Sequence, residues 1–286
     1  MDFCSMDFTN PLFIQLIELA IAEDIGDGDH SSIGAIPLGE QGKARLIVKE
    51  SGVLCGVMVA KYIVNKIDPS LEMKICYKDG DEVGVGDIIF TISGRIHSIL
   101  QAERLVLNFM QRMSGISTYT KRLVDKISHT SAQLLDTRKT TPGLRLMEKY
   151  AVTVGGGVNH RMGLYDMVML KDNHNDYAGS ITSSVERTKA YLKSTNREIK
   201  IEVESRNLDE VKEALSAGVD RIMFDNFSPE EMVKAVQLVN KQCETEASGG
   251  ITESTIQYYA ETGVDFISVG ALTHSVSSLD LSLKQF

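Results

Sequence analysis

Cysteine is scarce, with four in 286 residues (Cys4, Cys55, Cys76 and Cys243). None forms a CxxC pair and none stands at zinc-ligand spacing from a histidine, which argues against a disulfide framework and a structural zinc site. A reduced, cytoplasmic setting is the expectation. Long hydrophobic runs are missing too. The most apolar early stretch, "PLFIQLIELAIAEDIG", carries glutamates and is too short to span a bilayer. It predicts an amphipathic helix with Asn10 as N-cap and Pro11 in the first turn. The first residues show no basic stretch and no small-residue cleavage site, so no signal peptide is expected. Positive charge is in deficit: Lys plus Arg is 30 against 39 for Asp plus Glu, a net charge of −9. Broad nucleic-acid binding needs the opposite balance. There is no Walker loop and no GxGxxG after a strand. No Ser or Cys sits beside a histidine in a nucleophile motif, which argues against covalent acyl chemistry.

What is present is an ordinary globular composition, 43% hydrophobic and 24% charged, in a chain long enough for two domains. From about Gly42 to Gly94, short β-rich segments ("ARLIVKE", "EMKICYK", "DIIFTIS") alternate with Gly and Asp turns, interrupted by a helical "KYIVNKI". A long helical pattern follows, from "SILQAERL" to "RLVDKI". From Leu134 the rhythm becomes strand, polar loop, helix. Six strand cores ("QLLD", "MVMLK", "KIEVE", "RIMFD", "CETEAS", "FISVG") are separated by helical stretches such as "NLDEVKEALSAG" and "TESTIQYYAETG". This α/β pattern implies parallel strands with helical crossovers. The expected fold is an incomplete β/α barrel of six to seven parallel strands with an N-terminal α+β domain, and a doubly wound open sheet is the alternative.

Ligands of parallel β/α folds sit at the C-terminal strand ends. Those ends carry Arg138 and Lys139, Lys171, Glu204, Asp225, Ser248-Gly249-Gly250, and Gly270-Ala271. Arg138, Lys139, Lys171 and the His160-Arg161 pair form a cationic set suited to carboxylates or phosphates. Any one of them alone reads as a surface ion pair. Glu204 and Asp225, one βα unit apart, suit Mg²⁺ shared with substrate phosphates; the bland alternative is that one pairs with a lysine. Glu202 shares the face of Glu204 and is a weaker candidate, or a partner for a basic residue. "EASGGI" before a helix is a phosphate-cradle candidate, strengthened by "SVGALTHS" at the next strand end. His274 either helps hold the phosphate or caps the helix.

The motifs "ERLVLNFMQRMSGIST", "LDTRKTTPGLR", "KYAVTVGGGVNHRMGLYDMVMLKDNH", "IEVE", "MFDNFSPEE" and "DFISVGALTHS" resemble quinolinate phosphoribosyltransferase, also called carboxylating nicotinate-nucleotide pyrophosphorylase. The likeness runs from "AEDIGDGDHSS" to the last strand; His30 and Ser31 depart from a Val-Thr type pair. It implies a sandwich-like N-terminal α+β domain (1–114), rejoined by the tail 275–286, and a barrel domain (115–274). It also implies transfer of phosphoribose from phosphoribosyl pyrophosphate to quinolinate with decarboxylation, in a Mg²⁺-dependent, cytoplasmic enzyme of NAD biosynthesis. The alternative is a paralogue acting on nicotinate or another ring acid. By the same resemblance Thr137, Arg138, Lys139, His160, Arg161 and Lys171 bind quinolinate, with Arg104 supplied by the neighbouring subunit of a homodimer or hexamer of dimers. Lys139, Glu204, Asp225, Ser248, Gly249, Gly250, Gly270, Ala271 and His274 surround phosphoribosyl pyrophosphate. Glu204 and Asp225 hold Mg²⁺, and catalysis rests on Lys139, Lys171, Glu204 and Asp225. Asp136 reads as an orienting neighbour of the cations.

Overall fold

The computed structural model describes residues 6–286; Cys4 and the reading of the first residues as free of a leader lie outside them. Helices α1 (Pro11–Ile25) and α2 (His30–Ala35) precede β1 (Gln41–Val48) and β2 (Gly52–Val53). Next come α3 (Val57–Ile67), β3 (Glu72–Ile75), β4 (Glu82–Val83), β5 (Ile88–Arg95) and the long α4 (Ile96–Ile127). The β/α series follows: β6 (Gln133–Leu135), α5 (Arg145–Val154), β7 (Val168–Leu170), α6 (Asp172–Ala178), α7 (Ile181–Ser194), β8 (Ile201–Ser205) and α8 (Leu208–Ala217). It closes with β9 (Arg221–Asp225), α9 (Pro229–Val239), β10 (Glu244–Ser248), α10 (Ile256–Ala260), β11 (Phe266–Ser268), α11 (Ala271–His274) and β12 (Leu281–Gln285). These pack as two compact units. One runs to Lys121 and takes in Thr140–Gly156 and Leu272–Phe286; the other is Arg122–Lys139 with Gly157–Ala271.

The first unit holds a four-stranded antiparallel sheet in the order β12-β1-β5-β3. Along β1 the second half alternates buried and half-buried residues, as a strand with one covered face must. Helix α1 begins as the sequence predicts: the Asn10 side chain accepts the Leu12 N–H at 2.9 Å and Pro11 occupies the first turn. Where α3 ends, Asp68 is buried to 2% exposure. It accepts Ser70 N–H and Oγ–H at 3.0 and 2.6 Å, Ser98 Oγ–H at 2.6 Å, and Arg95 at 2.8 and 2.9 Å. The two serine hydroxyls, helped by Arg95, hold its carboxyl well below the usual carboxylate range. A depressed folded-state pKa contributes stability above the unfolded value, near 4, and that stability is lost as pH falls. Asp68→Asn is therefore expected to cost about 2 kcal/mol at pH 7, or about 4 °C of melting temperature. The gap to wild type should narrow progressively as melting is followed below about pH 4.

The second unit is a six-stranded sheet in the order β6-β11-β10-β9-β8-β7, parallel at every pairing. From β7 to β11 neighbours in space are neighbours in sequence, and the first strand, β6, pairs with the last. A doubly wound sheet reverses direction at a switch point instead. The order here is that of a barrel opened between its first and second strands. The open edge of β6 is not bare. Val158 forms a single parallel bridge with Leu135, accepts the Asp136 N–H at 3.2 Å and donates to Leu134 O at 2.8 Å. The stretch between Lys171 and Glu204, long in the sequence, contains two helices rather than one. α8 and α9 open on Asn207 and on Ser228, the latter with Glu231 closing a capping box.

Candidate active site

Because all six strands run parallel, their C-terminal ends lie at one end of the sheet. That rim carries Thr137–Lys139 after β6, Lys171 after β7, Glu204 in β8, Asp225 in β9, Ser248–Gly250 from β10, and Gly270-Ala271 after β11. Two predicted residues belong to the first unit: Arg104, exposed on α4, and His274, exposed on α11 with Nδ1 2.6 Å from Ser275 Oγ.

Arg138 is exposed and Arg161 half-buried. Among the described residues, Arg161 donates from its guanidinium to the Met167 carbonyl at 3.3 Å and to the Met169 sulfur at 3.6 Å, neither of them charged. Burial and then the Arg138 charge lower its pKa. Glu202 and Asp166 act weakly in the opposite sense; a cation beside another cation whose hydrogen bonds go to neutral acceptors is poised for an anion.

Lys171 Nζ lies 2.6 Å from Glu204 Oε2. The lysine pairing weighed for one of the two acids is therefore realised at Glu204. Asp225 sits opposite Ser248 in the β9–β10 register, and its Oδ2 accepts Asn226 Nδ2–H at 2.8 Å. The turn after β10 is left-handed at Gly249 (φ 99°) and Gly250 (φ 62°), and Asn226 N–H donates to Ser248 O at 2.9 Å. A Cβ on Gly249 would collide with Asn226 Oδ1 and approach its backbone nitrogen to 2.8 Å. Gly249→Ala is expected to weaken a phosphate-bearing substrate at least about tenfold, read as KM, since strain and overlap act together.

Beneath the rim lies a charged cluster that sequence reasoning saw only in part. His160 Nε2 is 3.0 Å from Glu202 Oε2 and 3.4 Å from Glu246 Oε2, with both carboxylates fully buried. The Arg221 guanidinium lies 3.1 Å from Glu246 Oε2 and 2.9 Å from Glu244 Oε2, stacked 4.1 Å over the Phe266 ring. Burial opposes the charged imidazole, but the two carboxylates outweigh it and raise the His160 pKa to about 9. Burial, followed by Glu246, pushes Glu202 up to about 7. For Glu246 the desolvation is overcome by His160 and Arg221, which hold it low. His160 Nδ1 accepts the Arg161 amide at 2.6 Å, and the backbone N–H of His160 donates to Asp136 Oδ1 at 2.8 Å. Glu202 is thus a partner for a basic residue, and Asp136 orients the His160 segment. Glu246 and Arg221 were missed. The signal for Glu246 was an acid in mid-strand, between Thr245 and Ala247, in a sheet covered on both faces.

A second missed group lies in the first unit. Arg112 donates to Glu148 Oε1 at 2.8 and 3.1 Å, to Thr141 Oγ1 at 3.4 Å and to the Thr273 carbonyl. Glu148 Oε2 accepts the Thr141 N–H at 3.0 Å. The pair clips the hydroxyl-rich loop after Lys139 to the residue before His274.

Cations, carboxylates and a glycine turn on one rim are a donor set that can hold an acid against a phosphorylated partner, as a β/α-barrel group transferase does. The family description "Quinolinate phosphoribosyl transferase, C-terminal domain" matches residues 116–284, and its N-terminal counterpart matches 29–114. The chain belongs to the quinolinate phosphoribosyltransferase family. It is 49% identical over 285 residues to the carboxylating nicotinate-nucleotide pyrophosphorylase, chloroplastic, of Arabidopsis thaliana, covering 94% of this chain and 81% of that protein. A Bacillus subtilis relative, a probable carboxylating nicotinate-nucleotide pyrophosphorylase, is 42% identical over 270 residues, covering 94% of this chain and 92% of its own length. The crystal structure of NadC from Streptococcus pyogenes superposes with a TM-score of 0.93 at 38% identity, covering 99% of this chain and all of that one. No helix among the described residues is long and apolar enough to cross a membrane.

Proposed function

We propose that this chain transfers the phosphoribosyl group of phosphoribosyl pyrophosphate to quinolinate with loss of CO₂. The products are nicotinate mononucleotide and pyrophosphate, and the reaction is the entry into de novo NAD synthesis. The observation that carries the choice of acid is the Arg138–Arg161 pair, whose half-buried member has only uncharged acceptors. Two neighbouring carboxylates on one ring answer two neighbouring cations, whereas nicotinate offers one. Cleavage of the C1–pyrophosphate bond leaves a cation-like sugar carbon, which the carboxylates of Glu204 and Asp225 stabilise. The quinolinate nitrogen bonds to C1. The adjacent carboxylate then leaves as CO₂, its electron pair drawn toward the cationic ring, and C2 takes up a proton. The side chains contribute mainly position and field. Arg138, Arg161 and Lys171 grip the carboxylates. Lys139 bridges toward the phosphates, with Thr137 as hydrogen-bonding support, and the Ser248–Gly250 and Gly270–Ala271 turns receive the 5′-phosphate.

Glu204 and Asp225 end adjacent strands with hard oxygen donors, and Asp225 is half-exposed, which suits an ion that keeps water and phosphate ligands. Mg²⁺ bound there would neutralise the pyrophosphate leaving group. The His160, Glu202 and Glu246 side chains are buried, which suits an ion that keeps water ligands less well. Purified protein with quinolinate, phosphoribosyl pyrophosphate and Mg²⁺ should release CO₂ and form nicotinate mononucleotide. Turnover with nicotinate but none with quinolinate would defeat the assignment.

The same reading takes the enzyme to be cytoplasmic and a homodimer, or a hexamer of dimers, with Arg104 entering the neighbouring site. Inactive Arg104→Ala and Lys171→Ala proteins should then regain activity on mixing. Random exchange into mixed dimers restores about a quarter of wild-type activity at most, since half the dimers are mixed and each carries one intact site. No recovery under proven subunit exchange would refute a shared site.

A further inference from the structure

We propose that Arg112 and Glu148 are positioning residues, an ion pair that anchors at one point the two strand-end loops assigned to phosphoribosyl pyrophosphate. This rests on the activity proposed above and deepens it, since neither residue lies at a strand end. The loop that carries Arg138 and Lys139 enters the first unit at Thr140, and the loop that carries Gly270 and Ala271 enters it at Leu272. Arg112 on α4 bonds one residue beyond each entry. Its guanidinium donates to Thr141 Oγ1 at 3.4 Å and to the Thr273 carbonyl, with the Val276 carbonyl at 3.5 Å. Two loops far apart in sequence thus end on one side chain.

Glu148 keeps that side chain in place. It stands in the first turn of α5 and is 1% exposed. Oε1 accepts the Nε–H and an Nη2–H of Arg112 at 3.1 and 2.8 Å, and Oε2 accepts the Thr141 N–H at 3.0 Å. A buried carboxylate parted from its cation is strongly unfavourable, so the pair stays closed. The first loop is held again where Arg145 Nε donates to Thr140 Oγ1 at 2.9 Å. Lys139 therefore sits between two fixed points, Thr140 and Thr137, whose Oγ1 accepts the Lys139 N–H at 3.0 Å. An ammonium presented from a loop fixed at both sides has little freedom left to lose when a phosphate binds. The anchor also calls for arginine. A planar fork of donors serves a carboxylate, a hydroxyl and two carbonyls together, which a compact ammonium cannot do.

Arg112→Ala would strand Glu148 and so tests folding more than position. Arg112→Lys keeps a positive charge beside Glu148 but gives up the fork, and Glu148→Gln keeps the side-chain shape. Each should raise KM for phosphoribosyl pyrophosphate roughly 10–100-fold, the usual loss for a supporting residue. KM for quinolinate should move by less than about threefold, because Arg161 and Lys171 lie on segments that the pair does not touch. Asp68→Asn weakens the first unit without sharing any of these contacts, and it should leave both KM values within about twofold. Equal rises in the two constants, a rise as large in Asp68→Asn, or no change in a folded variant would overturn the proposal. A wild type that makes no nicotinate mononucleotide from quinolinate would instead strike the functional reading itself. Hydrogen exchange reads the anchor without turnover. In Arg112→Lys the amides of 137–143 and 272–277 should exchange faster together, while strands β8 and β9 keep their wild-type rates. Faster exchange in neither or only one of the two segments, or throughout the chain, would contradict a shared anchor.

Discussion

Arg161→Ala is expected to lower kcat/KM for quinolinate about a thousand-fold, the effect of losing roughly 4 kcal/mol of charge-assisted contact. The magnitude follows from the side chain's circumstances. Its guanidinium is half-buried beside Arg138 and bonded only to the Met167 carbonyl and the Met169 sulfur. Its hydrogen bonds go to neutral acceptors, and the attraction of Glu202 and Asp166 is outweighed by burial and by Arg138, so the guanidinium retains capacity for a substrate carboxylate. Arg161→Lys should recover little, because a compact ammonium cannot make two parallel hydrogen bonds to one carboxylate. Steady-state kinetics with each substrate varied separately measures this. A loss under about tenfold would move the acid site elsewhere on the rim.

Glu204→Gln should reduce kcat by about 10²–10³, the cost of removing one group aimed at charge that develops in the transition state. It should not raise KM for quinolinate. Glu204 Oε2 holds Lys171 Nζ at 2.6 Å, so the substitution frees that ammonium for the substrate carboxylate. A fall in kcat with an unchanged or lower KM therefore separates the two partners of one ion pair. Equal losses in both parameters would mean that Lys171 depends on Glu204 for its place.

Much of the second unit was legible because its signals are local. The cores "RIMFD", "KIEVE" and "CETEAS" coincide with β9, β8 and β10 to within a residue, since buried parallel strands are short apolar runs between turns. The choice between barrel and doubly wound sheet was not legible, because it turns on whether β6 pairs with β11 more than a hundred residues away. α6 was hidden inside a loop, and α5 inside a motif whose glycines drew attention instead. α10 is shorter than "TESTIQYYAETG" suggests: Thr252 and Thr255 bond each other and their own backbone, an arrangement that competes with helix. At the site, strand-end chemistry located the rim. The cluster beneath it stayed unseen, because alternation along a strand gives a face and not what waits across the barrel.

The pairing of β6 with β11 also sets an order of events at the ribosome. Leu134 meets Ile267 only after the chain has been made as far as β11. At ordinary synthesis rates of about 5–20 residues per second, β6 waits roughly 7–27 s for its partner. Val158, which bridges Leu135 from only 23 positions downstream, emerges far sooner. The segment that carries His160 and Arg161 thus shields a sticky nascent edge before it ever serves a substrate.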